Sequence, residues 1–142
     1  MGMFDAKTGG LVTLWKTFSG VTDLVGESTS ARIYPGVAKQ TASLPYLLFT
    51  VSGGDSFPVL GAATKIHRVA LQVFSCGATR AAADALDAAL RTAFDNYRGA
   101  AGSNYINQCV ASPPDHGYDK PEDGSSALRY WARTVYDIHF AV

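Results

Sequence analysis

Residues 127–142 read ALRYWARTVYDIHFAV, and their alternation decides the fold. Leu128, Tyr130, Ala132, Tyr136, Ile138 and Phe140 fall on one side of an extended chain. Arg129, Trp131, Arg133, Asp137 and His139 fall on the other. A period of two is the mark of a strand with one buried face. A strand of this length is expected to bend or to carry a bulge. The same pattern recurs in residues 65–75, KIHRVALQVFS, where Val69, Leu71 and Val73 point to the core and Arg68, Ala70 and Gln72 point away. Residues 46–52, YLLFTVS, follow Pro45 and are stopped by Gly53-Gly54, which makes a third strand. Residues 55–64 then form a loop, the tip of a long hairpin spanning 46–75.

Working outward, residues 31–34, ARIY, predict a short strand ending at the turn pair Pro35-Gly36, and residues 105–111, YINQCVA, predict another. Two segments repeat at helical spacing. In residues 80–94, Leu86, Leu90 and Phe94 lie on one stripe beside Ala82, Ala83 and Ala93, with Thr79 placed to cap the N-terminus. Asp84, Asp87 and Arg91 lie off that stripe, and the two aspartates are read as solvated. Residues 11–25 predict one helix of about four turns, weakened at Gly20 and stopped by Gly26. Residues 112–126, SPPDHGYDKPEDGSS, read as a long polar loop. The order α-β-β-β-α-β-β with short connections implies an α+β two-layer domain. Its sheet of about four or five strands is mostly antiparallel, with two helices on one face and a long protruding hairpin.

Length and composition agree with one domain, residues 1–142, with its own hydrophobic core. Nearly half the residues are hydrophobic. Twelve Lys plus Arg balance twelve Asp plus Glu, which argues against a general nucleic-acid binder and favours self-association. Cys76 and Cys109 are far apart, form no CxxC pair and read as small buried hydrophobes. The stretch MGMFDAKTGG lacks a basic segment followed by an apolar run, so no signal peptide is expected, and no apolar run approaches a membrane span.

Reactive constellations are scarce. GGDSF at 53–57 resembles the Gly-Asp-Ser block of one esterase class, which makes Ser56 a candidate nucleophile. That class takes its base from an Asp-x-x-His block, and neither Asp115-His116 nor Asp137-Ile138-His139 has the spacing. His116, Asp115, Asp119, Glu122 and Asp123 cluster in the polar loop without the spacing of a zinc or calcium site. His67 and His139 are read as surface residues on strand faces opposite the core. No glycine-rich phosphate loop is present. No catalytic residue, metal ligand or cofactor is assigned. A well-patterned chain without a reactive centre points to assembly, and Trp131 between Arg129 and Arg133 has the composition of a protein contact.

Several features taken in order resemble the tail-completion or tail-terminator family of long-tailed bacteriophages and gene transfer particles. They are Asp23 to Gly26 closing the first helix, then Arg32-Ile33-Tyr34-Pro35-Gly36, then Gln40 and Leu44-Pro45-Tyr46. After the Gly-Gly loop come Arg68 to Phe74, an alanine-rich helix with Ala82, Ala85 and Leu90, and an aromatic strand from Tyr136 to Phe140. The resemblance covers roughly residues 11–142. It implies a structural virion protein, assembled in a host cytoplasm, that forms a ring, commonly a hexamer. Such a ring caps the tail tube, ends its elongation and joins it to a head-completion or neck protein. DNA passes through the lumen without sequence readout, and no membrane is involved. Another neck component, such as an adaptor, is the second reading.

Within that frame, Tyr34, Pro35, Gly36 and Pro45 form a rigid connector, because proline fixes φ and removes donors. Asp55, Phe57, Leu60 and Trp131 are candidates for the subunit or tube interface. Arg68, Arg129 and Arg133 are candidates for lumen or intersubunit contacts.

Overall fold

The structure, a computed structural model, describes residues 10–26, 31–36, 43–58, 65–102, 104–120 and 128–141. Helices α1 (Gly10–Trp15) and α2 (Ser19–Val25) open the chain, followed by strands β1 (Ile33–Pro35), β2 (Tyr46–Pro58) and β3 (Lys65–Gly77). Helix α3 (Arg80–Phe94) then leads into β4 (Gly99–Ala101), β5 (Asn104–Ala111), β6 (Asp115–Asp119) and β7 (Arg129–Ala141). The fold is α+β. Seven strands form one sheet in the order β1-β2-β3-β7-β5-β4, and β6 also pairs with β7. All pairs are antiparallel except β1 with β2, where Ile33 aligns with Leu47.

Alternation does what the sequence predicts on the central strands. Val69, Leu71 and Val73 of β3 are buried, as are Ala132, Thr134, Tyr136, Ile138 and Phe140 of β7. Helix α3 lays Leu86, Leu90 and Phe94 on that face, and the Thr79 hydroxyl accepts the Ala82 N–H at 3.1 Å as its N-cap. Trp15 joins Phe49 of the sheet and Phe94 of α3 through edge-on contacts, with centroids 5.3 and 5.6 Å apart. The helices are therefore gathered over one face of the sheet.

Several expectations need correction. The first helix is two. Thr17 Oγ1 donates to the Leu14 carbonyl at 2.6 Å, and Phe18 is extended at the cap of α2. A threonine hydroxyl competing for a helix carbonyl favours such a break. The break sets Phe18 against Phe94 and Tyr97, while Trp15 also meets Phe94 edge-on. Gly53-Gly54 do not end β2. The register shifts between Val51 and Gly54, so the pair lies in a bulge and the ladder runs on to Pro58.

The polar loop 112–126 contains β6, and the short β4 has no sequence signal, so the strands number more than the expected four or five. His67 lies on the core side of β3, stacked on Phe140 at 5.3 Å, because it shares the parity of Val69. Asp87 is buried rather than solvated. Both cysteines are buried free thiols, as expected.

One close approach depends on glycine. A Cβ on Gly10 would stand 1.8 Å from the Ala101 carbonyl oxygen, so α1 can meet β4 only with a bare Cα there.

Candidate interaction surface

The face of the sheet opposite the helices carries the alternate residues of each strand. On β7 these are Arg129, Trp131, Arg133, Val135, Asp137 and His139, and on β3 they include Arg68, Gln72, Phe74 and Cys76. Arg68, Trp131, Arg129 and Arg133 thus share one face, as their parity requires.

Each arginine meets an aspartate on a neighbouring strand. Arg68 grips Asp137 with two hydrogen bonds, Nε to Oδ1 at 3.0 Å and Nη2 to Oδ2 at 2.9 Å. Those bonds hold the Asp137 carboxyl below the usual carboxylate range, against a smaller opposing effect of burial. Arg133 pairs with Asp115 of β6. Arg129 Nη2 lies 3.7 Å from Asp119, and its Nη1 donates to the Tyr46 hydroxyl at 2.9 Å. Three arginines facing three aspartates leave this set charge-compensated. It is polar and hydrogen-bonded rather than a basic patch.

Aromatic groups fill the spaces between the pairs. Trp131 stands edge-on to Phe74 at 5.6 Å and lies against Gly117, its register partner on β6. A Cβ at Gly117 would be 2.3 Å from the indole Cζ2, so the ring occupies the room that a side chain would need. Trp131 is partly covered by this contact. Tyr34 meets Tyr46 edge-on at 5.6 Å. Burial pushes the Tyr46 hydroxyl up to about 12 and the neighbouring Cys76 thiol up to about 11, so neither ionises near neutrality. Tyr105 and Val110 of β5 remain 47% and 43% exposed on the same face, which gives it apolar ground not covered by this chain.

The other described candidates belong to β1, β2 and the residues beside them. Asp55 and Phe57 lie in β2, aligned with Arg68 and Ile66. Leu60 lies outside the described residues. Tyr34 and Pro35 belong to β1, Gly36 follows with φ +81°, and Pro45 precedes β2. Arg32, which no sequence pattern marks for a role, ties this region together. Its Nε donates to the Pro45 carbonyl at 2.8 Å and its Nη2 to the Leu24 carbonyl at 2.9 Å. Ser56 sits within a strand, aligned with His67, and not on the exposed turn that a serine nucleophile of the esterase kind occupies. Among the described residues no group of three His, Cys, Asp or Glu side chains could hold a metal ion. No described helix is long and apolar enough to cross a membrane.

On the core side lies a buried polar network that the strand and helix periods do not spell out. Thr134 Oγ1 donates to Asp87 Oδ1 at 2.6 Å and accepts from Arg91 Nη2 at 2.6 Å. Arg91 Nη1 donates to the Ser112 carbonyl at 2.8 Å. The network joins α3 to β7 and to the segment after β5. Its signal was present, since Thr134 is a polar residue at a core-facing position and such a residue requires partners.

An α+β fold of this kind has a solved counterpart in a chain from the virion of a native gene transfer agent particle. The two share 15% identity with a TM-score of 0.61, over 93% of this chain and 92% of that one. Among curated proteins, none matches. The sequence pattern of the tail completion protein gp17 family matches residues 10–133, and the chain belongs to that family. It is accordingly a structural protein of the bacteriophage tail.

Proposed function

We propose that this chain forms a ring, hexameric in the finished particle, that caps the tail tube and joins it to a neck protein of the head. Family membership over residues 10–133 is the observation that carries the reading. Two features support it. The helix-free sheet face offers partly exposed aromatic and apolar groups among paired charges, a composition suited to subunit contact. The compensated arginines also suit a lumen through which DNA slides without being held, since phosphate binding draws on uncompensated cations.

In this reading the Tyr34–Pro45 connector fixes the start of β2, and the hairpin carrying Asp55, Phe57 and Leu60 reaches a neighbouring subunit or the tube. The chain as a whole acts as a single domain without bond-making chemistry. Native mass spectrometry of the protein with and without tail tubes tests the ring, and a six-fold species is expected at least on the tube. Electron microscopy of particles lacking the protein should show overlong or headless tails. Leaking heads with normal tails would instead favour an adaptor or head-completion role. A Phe57→Ser variant that still forms rings and attaches tails normally would remove the hairpin tip from the interface.

A further inference from the structure

We propose that β6 is a salt-sensitive latch on the edge of β7, opening without the rest of the sheet. This inference stands apart from the ring reading.

β5 and β6 lie end to end along the same partner. β5 aligns with β7 from Tyr105–Ala141 to Ala111–Tyr136, and β6 continues from Asp115–Arg133 to Asp119–Arg129. Their attachments differ in kind. β5 sends Ile106 and Cys109 fully into the core. β6 buries no residue, and Tyr118 is 65% exposed. Its sequence, DHGYD, has two aspartates and a glycine, all poor strand formers.

What ties β6 down beyond the ladder is charge, together with Tyr118 against Tyr130 at 6.1 Å and Trp131 over Gly117. Asp115 pairs with Arg133 and Asp119 with Arg129, while His116 Nε2 lies 2.8 Å from Asp84 Oδ1 of α3, a contact that is an ion pair only when the imidazole is protonated. All these side chains are between about a third and two-thirds exposed. Exposed pairs of this kind contribute little each and are screened by salt.

The hinge is built in. Ser112 is pinned on both sides: its N–H donates to the Val135 carbonyl at 2.9 Å, and its hydroxyl accepts the Val135 N–H at 3.1 Å. Pro113 and Pro114 follow and have no N–H to donate, so the ladder lapses between Ala111 and Asp115. Beyond the prolines the strand can peel away while Ser112 stays fixed. Opening withdraws Gly117 from Trp131 and leaves the Arg129–Arg133 backbone as an unpaired edge, able to accept another strand.

Hydrogen exchange of the intact protein, read by mass spectrometry, tests the latch. Peptides covering 112–120 should exchange well before those covering 104–111 and 65–77 under native conditions. Raising NaCl from about 0.05 to 0.5 M should speed exchange of 112–120 about five-fold and leave the other two unchanged. Acrylamide quenching supplies a second measurement, because Trp15 is fully buried and added quenching with salt reports Trp131. Protection of 112–120 equal to that of β5, or exchange and quenching indifferent to salt, would overturn the proposal.

Discussion

Replacing Thr134 by Val removes one hydroxyl from the interior and almost nothing else. Thr134 is fully buried, and its Oγ1 holds two hydrogen bonds of 2.6 Å, one to the Asp87 carboxylate and one from the Arg91 guanidinium. Valine has nearly the same shape, so no cavity is made and the loss is electrostatic. Hydrogen bonds involving a charged group contribute about 1.5–3 kcal/mol each, and a buried group left without a partner costs its desolvation as well. Part of this is recoverable. Arg91 Nη2 already lies 3.6 Å from Asp87 and can close on it directly. Two such bonds less one partial recovery give a net loss of about 2–4 kcal/mol.

Urea unfolding should show that loss as a lower midpoint with an unchanged slope. Thermal unfolding should fall by roughly 6–12 °C at about 3 °C per kcal/mol for a chain of this size. Asp87→Asn, made alone and with Thr134→Val, should give a coupling above about 1 kcal/mol. A loss under about 1 kcal/mol for Thr134→Val, with purely additive effects in the cycle, would refute the claim that this network fastens α3 to the sheet.

Two further outcomes follow from other sites. Gly10→Ala should cost about 3 kcal/mol or more, measured by the same unfolding assay, because its Cβ meets a backbone oxygen that cannot move without shifting β4. Stability should decline in alkali: burial raises Cys76 from 9.0 to about 11, Cys109 from 9.0 to about 12 and Tyr46 from 10.0 to about 12. The protonated forms are favoured by the fold, so the contribution is complete below about pH 9 and is lost as pH rises through the folded values. Urea midpoints at pH 7, 9 and 11 should show a plateau and then a fall, and a flat profile to pH 11 would contradict the burial of these groups.

The central layer of this protein is legible from its residues because burial enforces a simple rule there. In β3, β7 and α3 the periods of 2 and 3.6 report directly which side chains leave water. Legibility fails where a third body decides. β6 has no strand propensity of its own and exists because β7 offers an edge, Arg129 and Arg133 offer charges, and Trp131 fits over Gly117. The break after Trp15 has a local contributor in Thr17, but the packing of Phe18 on Phe94 and Tyr97 that accompanies it is visible in no local window. Asp87 reads as solvated because its partner Thr134 is 47 residues away.

On the candidate surface, parity correctly predicted that Arg68, Arg129, Trp131 and Arg133 share a face. It did not reveal that each arginine already has an aspartate, because two of those partners come from β6 and the third, Asp137, meets Arg68 diagonally from β7 to β3.

The two native cysteines carry a practical advantage. Both are sequestered and held as protonated thiols, and they are the only two in the chain. Maleimide dyes and bifunctional crosslinkers should therefore ignore the wild-type protein. A single cysteine introduced at Tyr105 or Val110 would be the sole tagging point, and subunit neighbours in an assembled particle can be mapped one position at a time without first stripping the natural thiols.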